Sequence, residues 1–524
     1  MVDGPPSEEL GKTAKLSQEA AKDVGTVAKG GAIQIAGQIS DRGLAFFYGA
    51  AALEILGTSG FGLYRQVTQV LTLAAQLGLA GFNYAAMRFI TLARAQKRHT
   101  EVRGIARVAL TAAAIGSAIV VAAVLLGAEP LARSFADSDK DVSTFARLLR
   151  IGAPYIPLFA LMQVLRYCTQ AYKTMVPSVV AGSIVKPGAR FLIGVAFLFA
   201  GYSLTGAVTS LVISGALGML VAGWFFLRML TEEERTGTAG PDTSGIVRFA
   251  LPQAGASLFG VQTLGMGILM LGWLSGDADV ALFAVALSLQ GPGTVFLGGI
   301  VNIWAPVVSD LHARGDIARL NSLYKTINRW IATFSFPLFA VMIIEGDIFL
   351  RTFFPNAYPG AVTVVALIAV GNLFYTGTGP TGYVISMTGH PGVNFANSIA
   401  AVVLYGLLGW WIVPEHGAVG MAAVDAIVTA LVNSARVVQA KLLVGVQPFG
   451  RSFFKPVTAT LVGAAFLFVW SRFAQGEWLL EWTGIGVAAL VYIGVLRVLG
   501  LDAEEREVWE RIRKRGFKRG KGGA

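Results

Sequence analysis

The chain has 524 residues, 54% of them hydrophobic and only 14% charged, with a formal net charge of +11 and a mean hydropathy of +0.63. Soluble domains carry about 25% charged residues, so this composition excludes a water-soluble globule and indicates a polytopic membrane protein. No polar domain carries the positive balance, which argues against nucleic acid and for loop charge facing anionic lipid.

Residues 1–29 are polar, mixed in charge and without the apolar core of a signal peptide. They read as a cytoplasmic tail with a surface helix over Leu16–Ala28. Beyond them, stretches of about 20 mostly apolar residues, the length a spanning helix needs, recur about 14 times. In chain order they are Gly30–Leu53, Gly62–Phe89, Val108–Leu126, Phe145–Tyr172, Val176–Ala200, Leu204–Met229 and Ile246–Trp273. Then follow Val280–Val308, Thr326–Ile344, Ala361–Met387, Val393–Val413, Ala418–Leu442, Val457–Phe473 and Leu479–Leu499.

Charge between the segments tests this count, because cytoplasmic loops collect Lys and Arg. With the N-terminus inside, the even junctions are inside too. They hold Arg94, Lys97, Arg98, Arg103 and Arg107; then Arg314, Arg319, Lys325 and Arg329; then Arg436, Lys441, Arg451 and Lys455. The C-terminal tail runs Arg511, Arg513, Lys514, Arg515, Lys518, Arg519 and Lys521. Odd junctions are acidic instead, with Asp137, Asp139 and Asp141, Asp277 and Asp279, and Glu477 and Glu481. Both termini are therefore expected in the cytoplasm, and the chain in the cytoplasmic (plasma) membrane.

Thr231–Ser244 is the most polar interior stretch and divides two hydrophobic halves. The run LSGDADVALFAVALSLQGPGTV after it aligns with LGTSGFGLYRQVTQVL before it, and the stretch around Met175–Val208 parallels Gly389–Ala422. These similarities imply a parallel repeat about an axis along the membrane normal. The expected fold is an all-α membrane protein of about 14 transmembrane helices, in two six-helix lobes plus two C-terminal helices. Its boundaries are a tail over 1–29, an N-lobe over 30–230, a linker over 231–244, a C-lobe over 245–442, helices 13 and 14 over 443–500, and a basic tail over 501–524.

Four stretches carry a family resemblance. They are KGGAIQIAGQISDRGLAFF with LGTSGFGLYRQV; IVKPGARFLIGVAFL; IVRFALPQAG; and NIWAPVVSDLHARGDIARLNSLYKTINRW with FPLF and GPTGYVISMTGHP. In order and spacing they resemble the oligosaccharide flippases of the multidrug/oligosaccharidyl-lipid/polysaccharide exporter superfamily, over about residues 29–440. The resemblance implies a flippase with no covalent chemistry, moving a polyprenyl-(di)phosphate-linked oligosaccharide to the outer leaflet. It also implies a polysaccharide polymerase or ligase downstream. A cation-coupled multidrug exporter and a lipid II flippase are the alternatives. One departure is GMGILMLGW, late in the seventh segment, where family members often carry an Asp.

The residues can also be read without the family. A charge at mid-membrane costs about 2.5–3.5 kcal/mol on insertion scales, so it should face a wet cavity or a partner. At 1.5 Å per residue Lys186 lies roughly 15 Å deep, and Arg190 lies one turn further on the same face. Pro187 and Gly188 between them should loosen the helix. Two cations with no acid on their own helix need either a substrate diphosphate or acids on neighbouring helices, such as Asp41 or Asp425. On the first helix Gln34, Gln38 and Asp41 share a face. Arg42 beside them is a third substrate-binding candidate, unless it merely pairs with Asp41. Asp41 and Asp425 are candidates for coupling or charge balance. Arg150 and Arg166, near the ends of the fourth segment, are expected to snorkel, and Arg65 and Arg248 also sit near helix ends. Trp410, Trp411, Trp470, Trp478 and Trp482 read as interface anchors.

GPGT at Gly291–Thr294 and GTGPTG at Gly377–Gly382 should break the eighth and tenth segments, as hinges or as sites of close packing. Cys168 is the sole cysteine, and His99, His312, His390 and His416 are scattered. No disulfide, metal or cofactor is expected; the partners are the glycan-lipid substrate and membrane lipids.

Overall fold

The computed structural model describes residues 7–500 apart from 136–138, 173 and 259–264. Asp137 and the basic run Arg511–Lys521 lie outside the described residues. The fold is all-α and multi-span. Among the described residues, nine helices are long and apolar enough to cross a membrane, or up to eleven if each of two bent pairs is one span.

Glycine decides where the first helices break. Helix α1, Ser7–Leu79, takes in the expected tail helix and the first span, and runs on through Gly57 at φ 69°, ψ 176°. That backbone region is open only to a residue without Cβ. The first two expected segments are thus two helices that fold back on each other at Gly57: the Tyr48 and Tyr64 rings lie 6.1 Å apart, where one continuous helix would set them about 24 Å apart. The second does not reach Phe89: Ala80 and Gly81 both take positive φ, and α2, Phe82–Ala95, starts afresh. Next come α3, Val102–Leu126, α4, Asp139–Gly152, and α5, Tyr155–Gln170. The break between α4 and α5 falls at Ala153–Pro154, inside the expected fourth segment.

The expected fifth segment contains a wide turn. Val180–Val185 is π-helical and leads directly into α6, Lys186–Phe199, with Pro187 in its first turn. Proline lacks the amide hydrogen and crowds the carbonyl four residues back, and a π turn relieves both. The turn also makes room for a side chain: a Cβ at Gly182 would lie 2.2 Å from the Arg166 guanidinium carbon. Then follow α7, Ser203–Met229, and α8, Thr243–Leu258.

After α9, Met266–Leu274, α10, Asp277–Leu289, and α11, Gly291–Ala313, meet at a 56° bend at the expected GPGT break. Helix α12, Ile317–Phe353, is kinked at Glu345. Helices α13, Val362–Thr378, and α14, Thr381–Met387, meet at 40° at the expected GTGPTG break. Helix α15, Pro391–Val444, holds the expected eleventh and twelfth segments as two arms folded back on each other at Gly417, with Tyr405 bonded to Asp425 and Asn397 to Gln439 across them. Helices α16, Phe454–Ala474, and α17, Trp478–Leu499, complete the bundle.

Three apolar cores hold these helices together. The largest joins Tyr48, Val67 and Leu211 to Phe283, Val365 and Val424, so it spans the polar linker's two sides. A second packs Ile246 and Ala250 of α8 against Phe82, Ile90 and Ala109 of α2 and α3. A third gathers Trp304, Tyr324, Val384 and Val446. Helices α1 and α10, which carry the aligned repeat sequences, touch at their ends: a Cβ at Gly62 would fall 1.7 Å from the Asp277 carbonyl oxygen.

The linker is docked rather than loose. Thr231 and Glu234 form a capping box on the short helix Glu232–Thr236. Glu234 is fully buried against Arg94 at 3.0 Å, His99 at 3.4 Å and the Tyr172 hydroxyl, which donates to it at 2.8 Å. Arg103 donates to the Arg235 carbonyl at 2.8 Å. Burial works against the Glu234 carboxylate, but the Thr231 amide, the Tyr172 hydroxyl, Arg94 and His99 together hold it below the usual carboxylate range.

Candidate binding cavity

The bend between α10 and α11 opens the site. Pro292 sits at the start of α11 and has no amide hydrogen to return to the preceding turn. Arg42 on α1 reaches into this break. It donates to the Gly291 carbonyl at 2.5 Å and to the Thr294 hydroxyl.

Around this contact lies a cavity of about 680 Å³, a size that holds a compact organic ligand. Arg42, Arg65 and Arg436 line it, together with one carboxylate, Asp425: three positive charges against one negative. Asp425 accepts a hydrogen bond from the Tyr405 hydroxyl at 3.1 Å. Arg436 donates to Asn433 at 3.4 Å. The buried Nε atoms of Arg65 and Arg436 have no hydrogen-bond partner among the described residues. Amides and hydroxyls supply the remaining polarity, including Gln290, Asn372, Tyr375, Ser398 and Thr429.

Lys186 and Arg190 lie beside this cavity rather than in its lining. Lys186 Nζ stands 5.0 Å from the Phe159 ring centre and 5.7 Å from that of Tyr155. The Arg190 guanidinium faces Tyr48 at 5.1 Å and Tyr64 at 5.6 Å, and its Nε donates to the Tyr64 hydroxyl at 3.1 Å. Cation–π contacts of this kind are worth about 0.5–2 kcal/mol each, and they leave the charge uncancelled. Asp41 is exposed and lies within electrostatic reach of Lys186, Arg166, Arg190 and Arg42. Arg190 is likewise close enough to Arg65 for the two cations to repel. Among the described residues no ion pair contains Arg42, Arg65, Lys186, Arg190 or Arg436.

The structure therefore brings Arg42 and Asp425 to one cavity and sets Lys186, Arg190 and Asp41 next to it. Three cations differ from the sequence expectation. Arg166 does not snorkel: it bonds Ser178 and Gln163, the latter at 2.7 Å, in the room left by Gly182. Arg65 lines the cavity although its segment position suggested a helix end. Arg436, counted among junction charges, lines it too. Depth counted along straight helices misplaces such residues once Gly57 and Gly417 bend them. The Tyr48, Tyr64, Tyr155 and Phe159 cage was legible only as aromatics on helices facing the cationic one. Arg150 pairs with Glu129 at 2.8 Å at an exposed site; Trp410, Trp411 and Trp478 are exposed while Trp470 and Trp482 are half-buried; and Cys168 is buried.

The described residues thus form an all-α multi-span bundle around a cation-rich polar cavity. From residues 27 to 312 the sequence matches the family model described as polysaccharide biosynthesis protein. The chain belongs to that family.

Among solved structures, it is similar in fold to the lipid II flippase MurJ in an inward closed conformation. That match has a TM-score of 0.73 at 12% identity, over 88% of this chain and 97% of that one. An inward-facing multidrug resistance transporter of the MOP superfamily matches with a TM-score of 0.66 at 15% identity, over 78% and 94%. A superfamily transporter from Pyrococcus furiosus, described by the reverse polarity of its binding pocket, matches with a TM-score of 0.59 at 14% identity, over 81% and 96%. A search of the curated proteins returned no match.

Proposed function

We propose that this protein moves a polyprenyl-(di)phosphate-linked saccharide from the inner to the outer leaflet of the cytoplasmic membrane. The observation that carries the reading is the cavity with three arginines and one carboxylate, none of those arginines in an ion pair among the described residues. Buried guanidinium groups without a carboxylate partner favour an anionic ligand, and a diphosphate offers the oxygens that a guanidinium fork binds bidentately. Arg42 would hold the diphosphate, and Lys186 and Arg190 would receive it on the neighbouring wall. Asp41 and Asp425 would balance charge or take the coupling ion.

Movement would follow alternating access between two six-helix lobes, with about 14 spans in all and both termini cytoplasmic. The 231–244 linker would join the lobes, and a polymerase or ligase would consume the exported glycan.

Two features bear on the kind of saccharide. The polysaccharide family model supports an oligosaccharide of a surface polymer. The high fold similarity to a lipid II flippase, covering 97% of that chain, favours lipid II as the substrate. Both are lipid diphosphates and share the same requirement for cations. A multidrug exporter of organic cations fits poorly with an excess of arginine.

The deciding experiment is to deplete the protein and identify the lipid-linked saccharide that accumulates on the inner leaflet by mass spectrometry. An accumulated repeat unit supports the oligosaccharide reading, and accumulated lipid II supports the second. No accumulation of any lipid-linked saccharide would sink both.

A further inference from the structure

The cavity's arginines account for a diphosphate but not for its neutral polar wall. On the second segment of α15, Asp425, Thr429 and Asn433 recur every four residues and so form one stripe, roughly 8 residues or 12 Å long. Gln290 and Asn372 line the same cavity from the α10–α11 break and from α13. Asn372 donates to the Gln290 side-chain oxygen. The Gln290 Nε2 group, on a residue only 4% exposed, has no hydrogen-bond partner among the described residues. A buried donor left in this state carries a desolvation cost that a ligand acceptor would recover.

Resting on the lipid-diphosphate reading above, we propose that this wall is a carbohydrate subsite holding the sugar rings next to the diphosphate. Hydroxyl groups both donate and accept, and so do amides and threonine. A row of such groups beside one carboxylate suits a ligand with several hydroxyls in sequence. An acyl chain would leave these groups unsatisfied. Arg42 and Arg65 come from α1, and the stripe comes from α15, where Arg436 donates to Asn433 at its end and so joins the neutral row to the cationic side of the cavity. Val428 and Val432 on the same α15 segment, with Phe283 from α10, give the apolar faces of sugar rings a surface to rest on.

The test uses the full chain in lipid nanodiscs and two probes: a short polyprenyl diphosphate, and the same carrier bearing a disaccharide on its diphosphate. Asn372→Leu is compared with the parent, and Thr429→Val serves as a second variant should the first fail to fold. The expected result is a loss of about tenfold in affinity for the sugar-bearing probe, equivalent to about 1.4 kcal/mol, with affinity for the bare carrier within about twofold of the parent. Equal losses for both probes, or no loss for either, overturn the subsite while leaving the diphosphate reading intact. Failure of the parent protein to bind either probe overturns the diphosphate reading and the subsite with it.

Discussion

Arginine meets tyrosine in two places in this molecule, with opposite results. In the linker clasp Arg94 lies 3.8 Å from the Tyr172 ring centre and also holds the buried carboxylate of Glu234 at 3.0 Å. Beside the cavity Arg190 faces Tyr48 and Tyr64, and no carboxylate closes the arrangement. An aromatic face steadies a cation without cancelling it, whereas a carboxylate satisfies it fully. The chain thus completes its ion pair where it joins the 95–104 loop, Tyr172 and the linker. Toward the interior, among the described residues, Arg42, Arg65, Lys186, Arg190 and Arg436 have no ion-pair partner.

Removing the open cations should break this contrast most severely. In proteoliposomes, the double variant Arg42→Ala/Arg436→Ala is expected to lower flipping of a lipid-linked diphosphate by about a hundredfold, because two charge-assisted contacts are lost. Retained flipping would show that these arginines are structural.

Closing the open site like the clasp should have the next largest effect. Tyr64→Glu places a carboxylate where the Arg190 side chain now meets a hydroxyl. Flipping should fall about tenfold, because the new pair competes with the substrate anion, and the melting temperature should fall as well, because Tyr64 is buried in the largest core.

Opening the clasp should instead cost stability. Glu234→Gln removes the charge that binds Arg94 and His99 and weakens the linker by roughly 1.5–3 kcal/mol, read as a lower melting temperature. Because the Glu234 pKa is depressed in the folded protein, its stabilisation is complete above the ordinary glutamate value of about 4.3 and is lost as pH falls through the lower folded value. The difference between parent and variant should therefore persist at neutral pH and vanish in acid. A difference that grew on acidification would contradict the sign.

The smallest effect belongs to the exposed pair of Arg150 and Glu129, where Arg150→Ala should leave both melting temperature and flipping unchanged.

Much of the fold was legible because lipid imposes simple rules. Apolar length marked the spans, and proline between glycines marked the bends after Leu289 and Thr378. What the sequence could not reveal were effects of bending and docking. Gly57 and Gly417 read as loop glycines and each does turn the chain back between two arms, but which side chains those arms bring together, such as Tyr405 with Asp425, was not legible. The TEEER run looked like a free divider, but Glu234 is buried by Arg94, His99 and Tyr172, residues far away in sequence. In the candidate site, Arg42 and Asp425 could be found as charges within apolar segments. Arg65 and Arg436 sat near segment ends, and only the folded helices carry them to the cavity.

The central claim is that the unpaired cavity arginines bind the anionic part of a lipid substrate. Its most direct test is equilibrium binding of a short polyprenyl diphosphate to the full chain in nanodiscs, with Arg42→Gln and Arg65→Gln compared with the parent across a range of salt concentrations. Binding that weakens with added salt and falls about tenfold in each variant is the expected result. Binding that is insensitive to salt and unchanged in both variants would contradict it.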